Sequence, residues 1–594
     1  MVARLLLLSA TLFAAPLAAE WAISTAEHAA PPTPARLEEI TATAAVEGWG
    51  SIESGAVAAA LSAYAIDRTD AAEGWVLVAR WARLLGENQR AFVGRWIDAM
   101  NTARLGHPNM AARYEPPDAP MSAIVHPEFG AWLFANRGFS RMFFDALAPA
   151  DYLPEALRIL NELHRANPRR IERYAALALA IALVHDVPPP PHWPHGQVGP
   201  QSLQRRLLPP GTAFSFWIEA DEAGQTLHRL SSLSFDELKF LVDTPAPAPE
   251  LVWARQSVRL PLARLAEAYD AVRYRQDRVD ANLTAWVGQP YTLPRILMEG
   301  GICVDQAYFA AQAGKARGVP TLIFRGAGMD GRHAWFGFLG PGGRWEMDAG
   351  RHAEQRYVSG LAFDPQIWAD ISDHEIAFLA EGFRRLPGYR QSRQHRWIAE
   401  EYLLRDQLVE ARAAARKAVN ADRRHLGAWE LLLTIHAREG DEPRTREGLL
   451  REAALAFQRY PDLHASLMRR VAAALRERGE TSAAEHEERL IARRHEGVRG
   501  DLAVAQAAEM LTRAMQTAPL VEQMRIYQLG LAQYGRGAQM ECFDRLILPF
   551  VTHLLKQGEA PEARRALDRA RAVLAVEPNT QLDRELTALA GRVP

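Results

Sequence analysis

Residues 20–187 repeat apolar positions at helical spacing, most clearly over 74–85, 154–166 and 171–184, and this predicts an N-terminal helical domain. The pattern breaks at Val187, where four consecutive prolines, Pro188 to Pro191, precede His192, Trp193, Pro194 and His195. Four prolines do not fit inside a helix, so the stretch reads as an extended, solvated connection. Residues 214–219 read as a strand, and alternating prolines from Pro245 to Pro249 mark a second connection. From Pro261 the spacing predicts an amphipathic helix. Leu262, Leu265, Tyr269, Val272, Val279 and Leu283 share one face, and Arg264, Glu267, Arg275 and Arg278 lie opposite.

Between 303 and 348 the period changes. A helix is predicted from Cys303 to Arg317, with Gly318 at its C-terminal cap and Pro320 barring continuation. Ala307, Ala310, Ala311 and Gly314 form a stripe of small residues that lets a sheet pack closely. Strands follow at 321–325, 333–339 and 345–348, joined by the turns 328–331, with its Asp-Gly pair, and 341–343. From about residue 394 the chain is helical again. Weak similarity among 399–440, 438–479 and 558–578 suggests helix pairs, with turns near Asn420 and Pro461.

Composition narrows the function. With 69 Lys and Arg against 71 Asp and Glu, the net charge of −2 gives no electrostatic case for nucleic acid or an anionic membrane surface. The N-terminus reads as an export signal: Arg4, an apolar run from Leu5 to Ala15, Pro16, then Ala18 and Ala19 before Glu20. That run is short of the roughly 20 residues a spanning helix needs. Periplasmic or secreted placement is expected, with no membrane span beyond the signal. Only two cysteines, Cys303 and Cys542, occur in the chain, so a disulfide framework is not expected and an unpaired cysteine is a candidate reactive thiol.

Cys303 carries the chemical expectation. At a helix N-terminus its thiolate is favoured by the macrodipole. His333 and Asp348 begin or end successive strands, which brings a nucleophile, a base and an orienting carboxylate into one order along the chain. Each residue alone reads as an inert thiol, an ordinary histidine and a turn cap. Together they read as a Cys303–His333–Asp348 triad, with a backbone N–H at Cys303 helping to hold an oxyanion. A zinc site of Cys303, His333, Asp348 and His352 is the lesser reading, since no Cys-x-x-Cys or His-x-x-x-His pair supports it. No cofactor is expected. His185, His192 and His195 cluster in the proline-rich stretch without carboxylates at ligand spacing.

The stretches Gly301-Ile302-Cys303, Ala316 to Pro320, His333-Ala334-Trp335 and Trp345 to Asp348 resemble the transglutaminase-like superfamily, whose core is papain-like. The resemblance covers roughly residues 260–365. It implies an α+β core with an acyl-transfer or amide-hydrolysing site acting on a peptide or protein through a thioester, hydrolysis favoured over amine transfer. One position departs: the papain branch has an oxyanion-donating Gln six residues before the nucleophile, and here that residue is Leu297. Gln289, Tyr291 and Trp286 are the alternative donors. The C-terminal part resembles tetratricopeptide repeats of about 34 residues, though Gly440 and Gly479 mark a longer spacing. A plain helical bundle is the alternative. The expected plan is a signal at 1–19, a helical domain at 20–187, a proline-rich segment at 188–250, the catalytic core at 251–390 and a repeat region at 391–594 that offers a protein-binding surface. The competing function is a catalytically silent scaffold whose helices bind a protein partner.

Overall fold

The computed structural model describes residues 23–594 apart from 87–88, 107–112, 287–289, 353–358, 441 and 496–498. The expected signal segment and Gln289 lie outside the described residues. The chain is mostly α-helical, with one five-stranded antiparallel sheet in mid-chain and helices on both sides of it in sequence. Among the described residues no helix is long and apolar enough to cross a membrane.

The sheet contains β1 (Thr321–Ala327), β2 (Arg332–Leu339), β3 (Trp345–Ala349), β4 (Leu361–Asp364) and β5 (Ala369–Ser372), in the order β3-β2-β1-β4-β5. The three expected strands are present, and β4 and β5 extend the sheet past β1. β1 and β2 pair in continuous register, with Phe324 opposite Trp335 and Gly326 opposite His333. β3 pairs with β2 only from Phe336 onward and does so across a bulge.

Helix α1 (Cys303–Ala316) lies on this sheet. Its small residues do what the stripe predicts. A Cβ at Gly314 would stand 2.6 Å from a Thr321 methyl, and the Thr321 hydroxyl donates to the Ala311 carbonyl at 2.9 Å. Beyond the helix the Val319 N–H returns to the Gly314 carbonyl at 3.0 Å, closing its C-terminus as expected.

Three expectations fail. Residues 214–219 belong to a helix, Pro210–Glu222, whose first turn Pro210 favours and whose buried face carries Phe214, Trp217 and Ile218. Their spacing of three and four is helical, although the aromatic content of the short stretch suggests a strand. The amphipathic helix from Pro261 is a 3₁₀ segment, Leu262–Ala268, and a short helix, Gln276–Asp280. Between them residues 273–275 pair with Gly301: its N–H donates to the Arg273 carbonyl at 3.0 Å and its carbonyl accepts from the Arg275 N–H at 2.9 Å. Backbone groups committed there cannot close helical turns. The proline-rich stretch is not solvated throughout, because Trp193 and His195 are buried and Trp193 packs edge-on against Trp368 at 5.3 Å.

The C-terminal region is a succession of antiparallel helix hairpins, beginning with Pro387–Leu404 and Leu408–Ala421. Pro461 opens a helix and Gly479 turns the chain after it, with φ +80°. One apolar core runs from Leu37 to Ala484, and a second gathers Ala492 to Leu589. The second meets the sheet at the β1–β2 hairpin. Asp330 and Gly328 carbonyls accept from the N–H groups of Leu582 at 2.9 Å and Met540 at 3.4 Å, and Arg332 lies between Asp544 and Glu585 at 3.1 and 2.5 Å.

Candidate active site

Cys303 is the first residue of α1, preceded by a tight approach at Gly300. Gly300 has φ +77°, and a Cβ there would fall 2.5 Å from the Arg273 carbonyl, so the turn that delivers Cys303 requires glycine. Asp305, in the first turn, accepts from the Ile302 N–H at 2.9 Å and so closes the N-terminus of the helix from within. The same carboxylate accepts from the Tyr291 hydroxyl at 2.9 Å and from Arg278 at 3.2 Å. The Tyr291 oxygen in turn accepts from His195 Nε2 at 3.1 Å. This buried chain fixes the base of α1, and its members are scattered over more than 100 residues of sequence with no shared motif.

The sulfur meets the edge of β2. β3 leaves β2 after the Phe336–Ala349 pair, which frees the β2 backbone at Ala334. The Ala334 backbone lies close enough to the Cys303 sulfur to lower its thiol, and the Ala334 carbonyl accepts from the Tyr269 hydroxyl at 2.9 Å. Cys303 therefore stands beside the residue that follows His333. Burial pushes the Cys303 thiol up to about 11, against the lowering effect of the Ala334 N–H and the helix-terminal amides. The expectation of a thiolate favoured by the helix end is thus corrected: desolvation outweighs the dipole in the resting site.

His333 is buried, and its Nε2–H donates to the Gly350 carbonyl at 2.6 Å. A carbonyl only accepts, so Nε2 carries the proton and Nδ1 presents the lone pair. The Tyr269 hydroxyl lies 3.4 Å from the same Nε2, and the rings of Trp335 and His352 flank the imidazole at 6.1 and 4.4 Å. Gly350 has φ +85°, and a Cβ there would strike the Tyr269 ring at 2.6 Å. Glycine is the residue that lets this carbonyl reach the imidazole.

Asp348 is not brought to His333. Along β3, Trp345, Met347 and Ala349 turn inward and Glu346 and Asp348 turn outward, as a period of two requires. The Asp348 carboxylate is 72% exposed and pairs with Arg351 at 2.8 Å. The orienting position expected of it is held by the Gly350 backbone. The zinc reading loses the same carboxylate, and among the described residues no group of three His, Cys, Asp or Glu side chains converges on a metal position.

No protein-family model matches the chain, and no curated protein matches it. The functional reading therefore rests on the residues themselves.

Of the three oxyanion alternatives, Tyr291 has its hydroxyl committed to Asp305, Trp286 is buried against Tyr291, and Gln289 lies outside the described residues. Tyr274 stands near Cys303, a neighbour that the sequence pattern does not reveal. Its backbone bridges to Gly301, it is 44% exposed, and its phenol is raised first by burial and next by the nearby charge of Cys303. Tyr269 and Gly350 are likewise missed by sequence reasoning. The signal for Gly350 is its place two residues past Asp348 at the end of a strand, where a positive φ ends pairing.

Proposed function

We propose that this chain is an exported transglutaminase-like cysteine enzyme acting on amide bonds of peptides or proteins, with hydrolysis favoured over amine transfer. One observation supports the reading: Cys303 at the start of α1 lies close enough to the Ala334 backbone for it to lower the thiol, one residue after an imidazole whose Nε2–H is held by Gly350, which leaves Nδ1 as the base. In this reading Nδ1 takes the thiol proton as sulfur attacks the acyl carbon. The imidazolium then protonates the leaving amine, and the acyl group remains on Cys303 as a thioester until water or an amine arrives. In this reading amides at the start of α1 and the Tyr274 hydroxyl hold the oxyanion, supported by the Tyr274 backbone bridge to Gly301. Gly350 fixes the tautomer, a task a backbone carbonyl performs without adding the charge stabilisation a carboxylate would give.

A second reading, a silent scaffold, draws support from the outward Asp348 and the raised thiol. The test incubates the mature chain with glutamine-containing peptides and a tagged primary amine and follows products and covalent adducts by mass. The enzyme reading expects a thioester on Cys303 that is absent in Cys303→Ala and His333→Ala. Free acid marks a hydrolase and amine adduct a transferase. Absence of adduct and product across a broad peptide library, with partner binding unchanged in Cys303→Ala, establishes the scaffold.

A further inference from the structure

The imidazole of His333 is carried by a ribbon that the sheet leaves unsupported. β3 pairs with β2 only from Phe336 onward, and β4 pairs with β1 at Arg325. Beyond those points β1 and β2 run on together. They pair Gly326 with His333 and Ala327 with Arg332, and the Gly328 N–H closes the turn on the Gly331 carbonyl at 2.8 Å. Among the described residues no strand flanks this end of the ribbon. Two strands alone are marginally stable in water, so whatever grips the ribbon decides how firmly His333 is held.

The C-terminal helices grip it. The carbonyls of Gly328 and Asp330 each accept a first-turn N–H, a group that finds no partner inside its own helix. These come from Met540 in Gln539–Cys542 and from Leu582 in α2 (Gln581–Ala590). The Arg332 N–H donates to the Gln581 side-chain oxygen at 2.9 Å. The Arg332 guanidinium spans two carboxylates. Its Nε donates to Asp544 at 3.1 Å and its Nη2 to the same carboxylate, while Nη1 and Nη2 donate to Glu585 at 2.5 and 3.0 Å. A planar fork held on two sides fixes a direction as well as a distance. Ala327, opposite Arg332, packs on the second apolar core. Successive side chains of a strand take opposite faces, so Arg332 turns outward to these helices and His333 turns inward. Anchor and imidazole are thus neighbours on one strand, and a displacement of the first moves the second.

We propose that the C-terminal helices position the base: Arg332, locked between Asp544 and Glu585, holds the hairpin so that the His333 imidazole stays aligned with Cys303. This rests on the reading of Cys303 and His333 as nucleophile and base. Arg332 acts through the strand, as a positioning residue.

Alkylation of Cys303 by iodoacetamide across pH, in the whole mature chain with labelled peptides mapped by mass, tests the proposal without a substrate. Near neutral pH the thiol becomes reactive by giving its proton to the imidazole, whereas toward about 11 hydroxide forms the thiolate unaided. The paired change Asp544→Asn with Glu585→Gln removes both carboxylates and leaves the hairpin sequence untouched. It should lower the neutral rate about tenfold, as a slightly misplaced base does, and keep the alkaline rate within about twofold of the parent. Arg332→Met should reproduce that pattern. Arg332→Lys keeps the charge but not the fork, and its neutral rate should fall between. Melting of each variant at both pH values, close to that of the parent, shows an intact fold. A loss of equal size at both pH values, or a large drop in melting temperature, assigns these contacts to the fold alone and overturns the proposal. Parent-like profiles in all the variants, with a neutral rate that still falls in His333→Gln, overturn the positioning role and leave the functional reading standing. An unchanged neutral rate in His333→Gln shows that the imidazole does not serve Cys303, and both readings fall.

Discussion

The two cysteines occupy opposite kinds of surroundings. Cys542 ends a short helix, Gln539–Cys542, and is fully buried in the apolar core of the C-terminal helices. Its thiol is pushed far up by burial, and the neighbouring Glu541 charge adds to the effect. Cys303 is partly exposed and is also raised by burial, but only to about 11, because backbone N–H groups at the start of α1 and on β2 partly offset the loss of water. The comparison teaches that a helix N-terminus does not by itself make a thiolate. What separates the two sites is a set of aimed amides and a neighbouring imidazole, set against a wall of methyl groups.

The largest expected difference is in reactivity. Limiting alkylation of the native chain should modify Cys303 at least about 100-fold faster than Cys542, whose access requires local opening of a packed core. Mass mapping of the labelled peptides checks this, and equal labelling would erase the contrast. The rate at Cys303 should climb with pH toward about 11, while a denatured chain should level off near 8.5. The sign follows from the raised thiol: between those values the folded chain keeps a proton that the unfolded chain loses, so this group's contribution to stability is lost as pH rises.

Gly350→Ala comes next. It forces an L side chain into φ +85° and against the Tyr269 ring, and should cost about 2–3 kcal/mol in denaturant unfolding. It should also slow Cys303-dependent turnover, since the carbonyl that fixes the His333 tautomer moves. Cys542→Ser places a hydroxyl in an apolar core and should cost about 2 kcal/mol, whereas Cys303→Ser, at a polar strand edge, should cost well under half of that. Calorimetry of the pair measures the contrast directly. The smallest effect belongs to Asp348→Asn. With its carboxylate in solvent the change should stay within about 0.5 kcal/mol and leave Cys303 alkylation unaltered. A large loss of turnover in Asp348→Asn would return the carboxylate to the site and displace Gly350 from its orienting role.

Elements with strong local signals are legible in the sequence. The helix from Cys303, the turn at Gly328 to Gly331 and the three central strands follow from small-residue spacing, Asp-Gly chemistry and the change of period. The segment after Pro261 is not legible, because its helical periodicity serves a backbone that pairs with Gly301 instead. β4 and β5 leave no trace because each is four residues long, too short for a pattern.

By itself the sequence singled out Cys303 and His333 and roughly where they lie, because cysteine, imidazole, prolines and glycines act through local geometry. Only the tertiary structure decided what surrounds them. Which face of β3 points inward depends on a bulge against β2, and that turned Asp348 to solvent and brought the Gly350 carbonyl to His333. The protonation of Cys303 depends on how much water the packed sheet and helix exclude. Arg332 looks like any arginine beside a turn until residues more than 200 positions away supply its two carboxylates. These outcomes are sums over contacts between distant segments, and no local pattern encodes them.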